Sequence, residues 1–300
     1  MAGQLRAIKR HIGSVKSTQK ITRAMELIAS SRIIKATQRV DAARPYAEEM
    51  RRLMGSVGAN AGSIDHPLLK ERDEIRRVGT IVITADRGLA GAYNSNVIRA
   101  AERDMRSHGK EERLYLVGKK AISYFRFRGY DFEHSWQGIS DQPRIEDARK
   151  VAGAAVEDFM NETVDEVRIA YTKYQSALTQ RPVVVKLLPM PKEEIEAAQE
   201  DESDGPRASY DFEPSPEEIL GLLLPRYVEG SVLQGLLEAS ASEHAARRRA
   251  MKAATDNADE LIQNLTRVYN QARQAEITTE IMEVVGGAEA LSSAAAGKEE

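Results

Sequence analysis

Residues 33–57 read IIKATQRVDAARPYAEEMRRLMGSV, and their apolar positions decide the architecture. Ile33, Ala36, Val40, Ala43, Ala47, Met50, Met54 and Val57 advance in alternating steps of three and four. A mean spacing of about 3.5 residues keeps one apolar seam turned toward a partner helix, the sequence condition for a coiled coil. Leu5, Ile8, Ile12 and Val15 repeat the rhythm nearer the start, so one helix is expected over residues 1–60, on the order of 80 Å long. Pro45 removes a backbone donor inside it and predicts a bend or local break, with the heptad continuing beyond. Gly55, Gly58, Gly62 and Pro67 close the element.

The other end of the chain repeats the pattern. Ala258, Leu261, Leu265, Val268, Ala272, Ala275, Thr279 and Met282 predict a second long helix over residues 217–293, with Pro225 and Gly230 weakening its first turns. Both helices adjoin the central stretch, so they must run antiparallel if they pair. The second is longer by roughly 20 residues, and its C-terminal part is expected to project on the order of 30 Å beyond the start of the first.

Between the helices, residues 76–190 read as alternating strands and helices. Short β-branched or apolar runs at 78–84, 114–117, 164–171 and 182–188 predict strands, with a weaker one at 131–135. Helical stretches are expected at 95–107, 119–128 and 145–161. That alternation implies a mainly parallel sheet covered by helices, with the last two strands able to form a hairpin. Residues 191–216, dominated by Glu and Asp between prolines, read as an acidic linker.

Composition narrows the function classes. There is no cysteine, which excludes disulfides, thiolate metal sites and cysteine nucleophiles. The five histidines, His11, His66, His108, His134 and His244, show no metal-ligand spacing. No stretch approaches the roughly 20 apolar residues of a membrane span, and the first residues carry no apolar signal core. Membrane association is expected only through a partner. The net charge of −3 hides a polarity, a basic first helix against the acidic linker.

Four segments invite a chemical reading. Asp86-Arg87-Gly88-Leu89-Ala90-Gly91 is a glycine-containing turn between a strand and a helix, able to offer N–H groups to a phosphate. It lacks both the G-x-G-x-x-G spacing and the Gly-Lys-Ser/Thr ending of a P-loop, and tight turning accounts for it as well. The basic first helix carries only Tyr46 for stacking, which argues against nucleic acid. Arg247, Arg248 and Arg249 form a second basic cluster, either an exposed face or an interface. Residues 277–296 are poor in charge and rich in small residues, so they need either enclosure by another protein or packing on their own domain.

The longer motifs resemble a known family. Residues 14–32, SVKSTQKITRAMELIASSR, are similar to the N-terminal signature of the γ subunit of F-type ATP synthases. Residues 242–247 (SEHAAR), 254–258 (ATDNA) and 272–281 (ARQAEITTEI) resemble its C-terminal signature, and 86–94 and 223–227 fit as well. Ala90 and Ala92 depart from the Gly-Leu-Cys-Gly-Gly often found in that loop. The resemblance implies an antiparallel two-helix coiled coil plus a central Rossmann-like α/β domain, acting as a non-catalytic rotor shaft without a cofactor. Implied partners are the α and β subunits, the ε subunit and the c ring, at the cytoplasmic face of a bacterial plasma membrane. It places Met25 and Arg32 near the β-subunit levers, and Arg273, Gln274 and Thr278 at contacts higher in the bore. Two other readings compete: a static coiled-coil tether, and a small nucleotide-binding enzyme with helical arms.

Overall fold

A computed structural model describes residues 2–60, 66–190 and 216–296. The acidic segment expected at 191–216 therefore lies, up to residue 215, outside the described residues, as does Gly62. The chain divides into two compact units: residues up to Leu27 together with those from Ala250 onward, and Ile28–Arg249.

The first helix, α1, runs Ala2–Asn60 and is unbroken at Pro45. Five strands follow in the order β1 Arg77–Ile83, β2 Glu111–Val117, β3 His134–Trp136, β4 Glu166–Tyr174 and β5 Gln180–Leu188. Helices α2 Tyr93–His108, α3 Lys119–Phe127 and α4 Ile145–Met160 alternate with the first four strands. The chain closes with α5, Pro216–Ala296, which contains Pro225. The third strand lies later than its sequence signal at 131–135 and is short, because only Tyr115–Val117 of β2 offers it partners.

In the sheet the strands stand in the order β3-β2-β1-β4-β5, and only β5 is antiparallel, forming a hairpin with β4. Val78–Ile83 is buried throughout, as a central parallel strand covered on both faces requires. Val82 faces a core built with α2 and α3, from Val97, Ala101, Ala121 and Phe125. Ile81 and Ile83 face the opposite core, to which α4 contributes Val151, Ala155 and Phe159 and α5 contributes Leu224, Val228, Val232 and Leu236. Both helix layers cover the sheet by right-handed crossover logic, so the α/β portion is doubly wound.

Within Ile28–Arg249, α1 buries Ile33, Ala36, Met50, Met54 and Val57 of the seam read from the sequence, and Ala29 besides. In the other unit the seam of α1 continues through Val15 and Thr22. There Thr22 Oγ1 meets Thr255 Oγ1 at 2.8 Å, and the Gln19 amide donates to Asp259. Residue numbers rise in one helix as they fall in the other, so the pair is antiparallel. Carried back to Ala2, this register ends opposite Glu276; the 20 or so residues beyond amount to roughly 30 Å of helix.

The heptad phase of α5 differs from the expected one. From Met251 onward its partly or fully buried positions are Met251, Ala254, Thr255, Ala258, Ile262, Leu265, Tyr269, Ala272, Glu276 and Thr279, whereas Leu261, Val268, Ala275 and Met282 are exposed. The step after Ala258 is four residues and not three. Apolar residues occupy both tracks, and the upstream spacing from Met251 to Thr255 to Ala258 fixes which of them turns inward.

Candidate functional site: the grip on the C-terminal helix

Doubly wound sheets bind their ligands beyond the carboxyl ends of the strands, where the strand order reverses. Here that reversal lies at β1, whose neighbours β2 and β4 lead to opposite sides of the sheet. The crevice is filled by the chain's own helix. Every residue of α5 from Gly235 to Ala245 is buried, although a helix on a surface would expose one face.

Small side chains allow this approach. Ala239, Ser240, Ala241, Ser242 and Ala245 present little bulk, and a Cβ at Gly235 would already stand 3.0 Å from Ile169 Cδ1. Polar bonds then tie the helix to strand ends. Ser242 Oγ donates to Thr172 O (3.1 Å), and Glu238 Oε2 accepts from Tyr174 N (3.1 Å). Tyr93 Oη donates to Ala239 O (3.1 Å), and burial pushes that phenol well above its usual pKa.

A chain of charged groups completes the grip. Glu243 Oε1 accepts from Arg247 Nη2 (2.5 Å), and Arg247 also donates to Gly88 O from Nε and Nη2 (3.4 and 3.2 Å). Arg247 Nη1 lies 3.3 Å from His244 Nδ1, while His244 Nε2 lies 3.1 Å from Asp141 Oδ1. Asp141 in turn receives Arg32 Nη1 on both oxygens, at 2.7 and 2.6 Å. Burial lowers the His244 pKa to about 4 despite the Asp141 carboxylate, so the ring is neutral at pH 7. Its partners then assign the tautomer: Nε2–H donates to Asp141, and Nδ1 accepts from Arg247. Burial likewise raises the Glu243 carboxyl, against the pull of Arg247.

This network decides the fate of the Asp86–Gly91 loop. Asp86 accepts from Lys119 N at the start of α3 (3.1 Å) and from Gly138 N (2.8 Å) and Ser140 Oγ (3.0 Å). The Asp86 carboxylate caps the start of α3, and Gly88 O receives Arg247, so the loop is tied to α3 and to α5. The loop is a dock for α5. The basic cluster also splits: Arg247 is 8% exposed inside the grip, whereas Arg248 and Arg249 are exposed and Arg249 bonds Ala177 O and Gln180 Oε1.

The residues expected to touch partners fall in different settings. In the unit formed by the chain ends, Met25 is half-buried, while Arg273, Gln274 and Thr278 are exposed. Thr278 Oγ1 donates to Gln274 O within the helix (2.9 Å). In the other unit Arg32 is held by Asp141. Of the grip, the sequence reading offered only Arg247 as an interface residue, and Glu238 to Ala246 went unread as a contact surface. Its signal was a run of Ala and Ser interrupted by Glu, His and Arg, legible as a close-packed polar helix only once a sheet edge stands beside it.

Within Ile28–Arg249 an α/β domain encloses a segment of α5, and in the other unit α1 and α5 pair antiparallel. The sequence profile of the ATP synthase family matches residues 4–291. An ATP synthase gamma chain from Frankia casuarinae is 52% identical over 300 residues, covering 98% of this chain and 99% of that one. One from Thermobifida fusca is 47% identical with complete coverage of both. The chain belongs to the ATP synthase gamma-chain family. Its fold is also that of chains in the Euglena gracilis mitochondrial ATP synthase: one from the OSCP/F1/c-ring in rotational state 3 (TM-score 0.66, 20% identity, 97% and 95% covered) and one from the rotor in rotational state 1 (TM-score 0.63, 19% identity, 92% and 100% covered).

Proposed function

We propose that this chain is the central rotor shaft of an F-type ATP synthase, carrying rotation from the membrane c ring to the catalytic sites among the α and β subunits. As a gamma chain it is a non-catalytic subunit of a larger enzyme. The observation that carries the mechanical reading is the grip: torque on the α/β domain reaches α5 through a helix segment buried on every side and pinned by charged and backbone bonds. A single exposed salt bridge would slip, since it contributes about 1 kcal/mol at most. An enclosed helix can turn only with its enclosure.

Beyond the grip, the exposed apolar residues Ile277, Ile281, Met282, Val284 and Val285 need a partner sleeve, as do Ile21, Leu27, Ile28 and Ile34 on α1. The α and β subunits supply it in this reading, and the ε subunit and c ring meet the α/β domain. Shaft rotation then presents each catalytic site with a different surface in turn and shifts its conformational populations. Met25, Arg273, Gln274 and Thr278 are the proposed contacts. Arg32 joins them only where a partner carboxylate competes with Asp141. The chain works as part of a membrane-associated complex. No helix among the described residues is long and apolar enough to cross a membrane, and we place the chain peripherally at the cytoplasmic face.

The deciding experiment is co-purification with α and β subunits, followed by ATPase assay with and without this chain. A single-copy complex with stimulated, cooperative hydrolysis is expected. A folded chain that ignores α and β would leave the static tether as the function. Replacing Arg273 and Gln274 together by Ala is expected to lower ATP-driven ion pumping more than complex assembly.

A further inference from the structure

A cavity of about 760 Å³ opens within Ile28–Arg249, between α1, the end of β4 and α5. Small-molecule sites span roughly 300–1,000 Å³, so the size suits one compact organic ligand. Each bordering element contributes a tyrosine to the wall: Tyr46 from α1, Tyr174 from β4 and Tyr227 from α5. Gly230 keeps the space open beside the Tyr46 ring, since a Cβ there would stand 3.6 Å from Cε1.

The ionisable lining is divided by depth. Asp41, Arg44, Glu48, Arg51 and Lys173 are exposed, and Arg44 pairs with Asp41 at 3.3 Å. Glu238 alone among the ionisable side chains of the lining, tyrosines aside, is buried, at 4% exposure. Its oxygens accept from Tyr174 N (3.1 Å) and from the Gln234 amide (3.0 Å), both neutral donors. Among the described residues no salt bridge reaches it. Its hydrogen-bond partners are thus neutral dipoles, and a cation brought into the cavity would add a charged partner beside this buried side chain. Aromatic faces are electron-rich and attract cations as well.

We propose that this cavity binds a small organic cation with an aromatic or alkyl body, of the quaternary-ammonium type. Glu238 supplies the counter-charge and the three tyrosines enclose the cationic head. At the depth of Glu238 an anion meets the carboxylate, because the cations of the lining, Arg44, Arg51 and Lys173, stand at the exposed rim. Because the ligand touches α1, β4 and α5 together, its binding stabilises their packing by mass action.

The test uses the full-length chain and three probes of similar size: benzyltrimethylammonium, benzyl alcohol and benzoate, followed by ligand-observed NMR and calorimetric titration. Saturable binding of the cation, absent for benzoate, is expected. Glu238→Gln should weaken the cation roughly tenfold and leave benzyl alcohol unchanged, and Tyr46→Leu should weaken the cation several-fold. Tyr46 is half exposed, so that variant reports on the site even if Glu238→Gln disturbs folding. No saturation by the cation, equal binding of all three probes, or a cation affinity indifferent to Tyr46→Leu would overturn the assignment.

Discussion

Two stretches of the same helix invert the usual rule of burial. Gly235–Ala245 contains Glu238, Glu243 and His244 and is buried on every side. Residues 281–288 contain Ile281, Met282, Val284 and Val285 and are exposed on every side. Both are rich in small residues. What separates them is what stands beside them: the first lies against strand ends that offer carbonyls, amides and a guanidinium, and the second has none of the described residues of its own chain covering it. Side-chain type therefore reports which partner a helix is made for, and topology decides whether that partner is intramolecular.

The comparison is broken most severely at Arg247. Arg247→Met strands the buried Glu243 carboxylate and is expected to cost about 4 kcal/mol in urea denaturation. Adding Glu243→Gln should recover most of that loss. If the double variant is as unstable as the two single costs summed, the pair is not a unit.

Acid should attack the buried stretch next. The His244 pKa stands near 4 in the fold against 6.5 when free, so the unfolded chain binds the extra proton between those values. Its contribution is intact above pH 6.5 and is lost as pH falls toward 4, by up to about 3 kcal/mol. Glu112 acts in the opposite sense: burial raises it to about 7, and its contribution fades as pH rises from 4.5 toward 7. The difference between the wild-type chain and His244→Asn isolates the histidine. A flat difference between pH 4 and 6.5 would mean that the ring is not buried neutral.

Glycine substitutions should then differ in sign. Gly235→Val forces a branched side chain against Ile169 and is expected to destabilise by about 2 kcal/mol. Gly286→Ala meets no atom within 4 Å and should stabilise the helix by about 0.8 kcal/mol in thermal denaturation. The same sign at both positions would refute the contrast.

The smallest effect concerns the heptad phase. Ile262→Ala should cost about 1 kcal/mol, and Leu261→Ala less than about 0.5, by urea midpoint. The reverse order would restore the phase that places Leu261 and Val268 inward.

Much of this architecture was legible before any coordinates. The α1 seam from Ile33 to Val57, the strand–helix alternation and the antiparallel last strand pair follow from periodicity, because side-chain period is a local property of helix and strand. The family motifs pointed to Met25, Arg32, Arg273, Gln274 and Thr278. They did not reveal that Arg32 is bound to Asp141, a residue far off in sequence whose pairing no local pattern encodes. Nor did they reveal the cavity beside Glu238, which exists only where three elements diverge.

The sequence by itself determined that two long helices flank an α/β domain, since heptad spacing and β-branched runs act through neighbouring residues. Only the tertiary structure decided which track of α5 faces its partner, because Leu261 and Ile262 are equally apolar and only the partner's position separates them. It also decided that the ligand crevice of the sheet holds Glu238–Arg247. The energy of that choice lies in bonds from Ser242 to Thr172 and from Arg247 to Gly88, and these form only after segments distant in sequence have folded together.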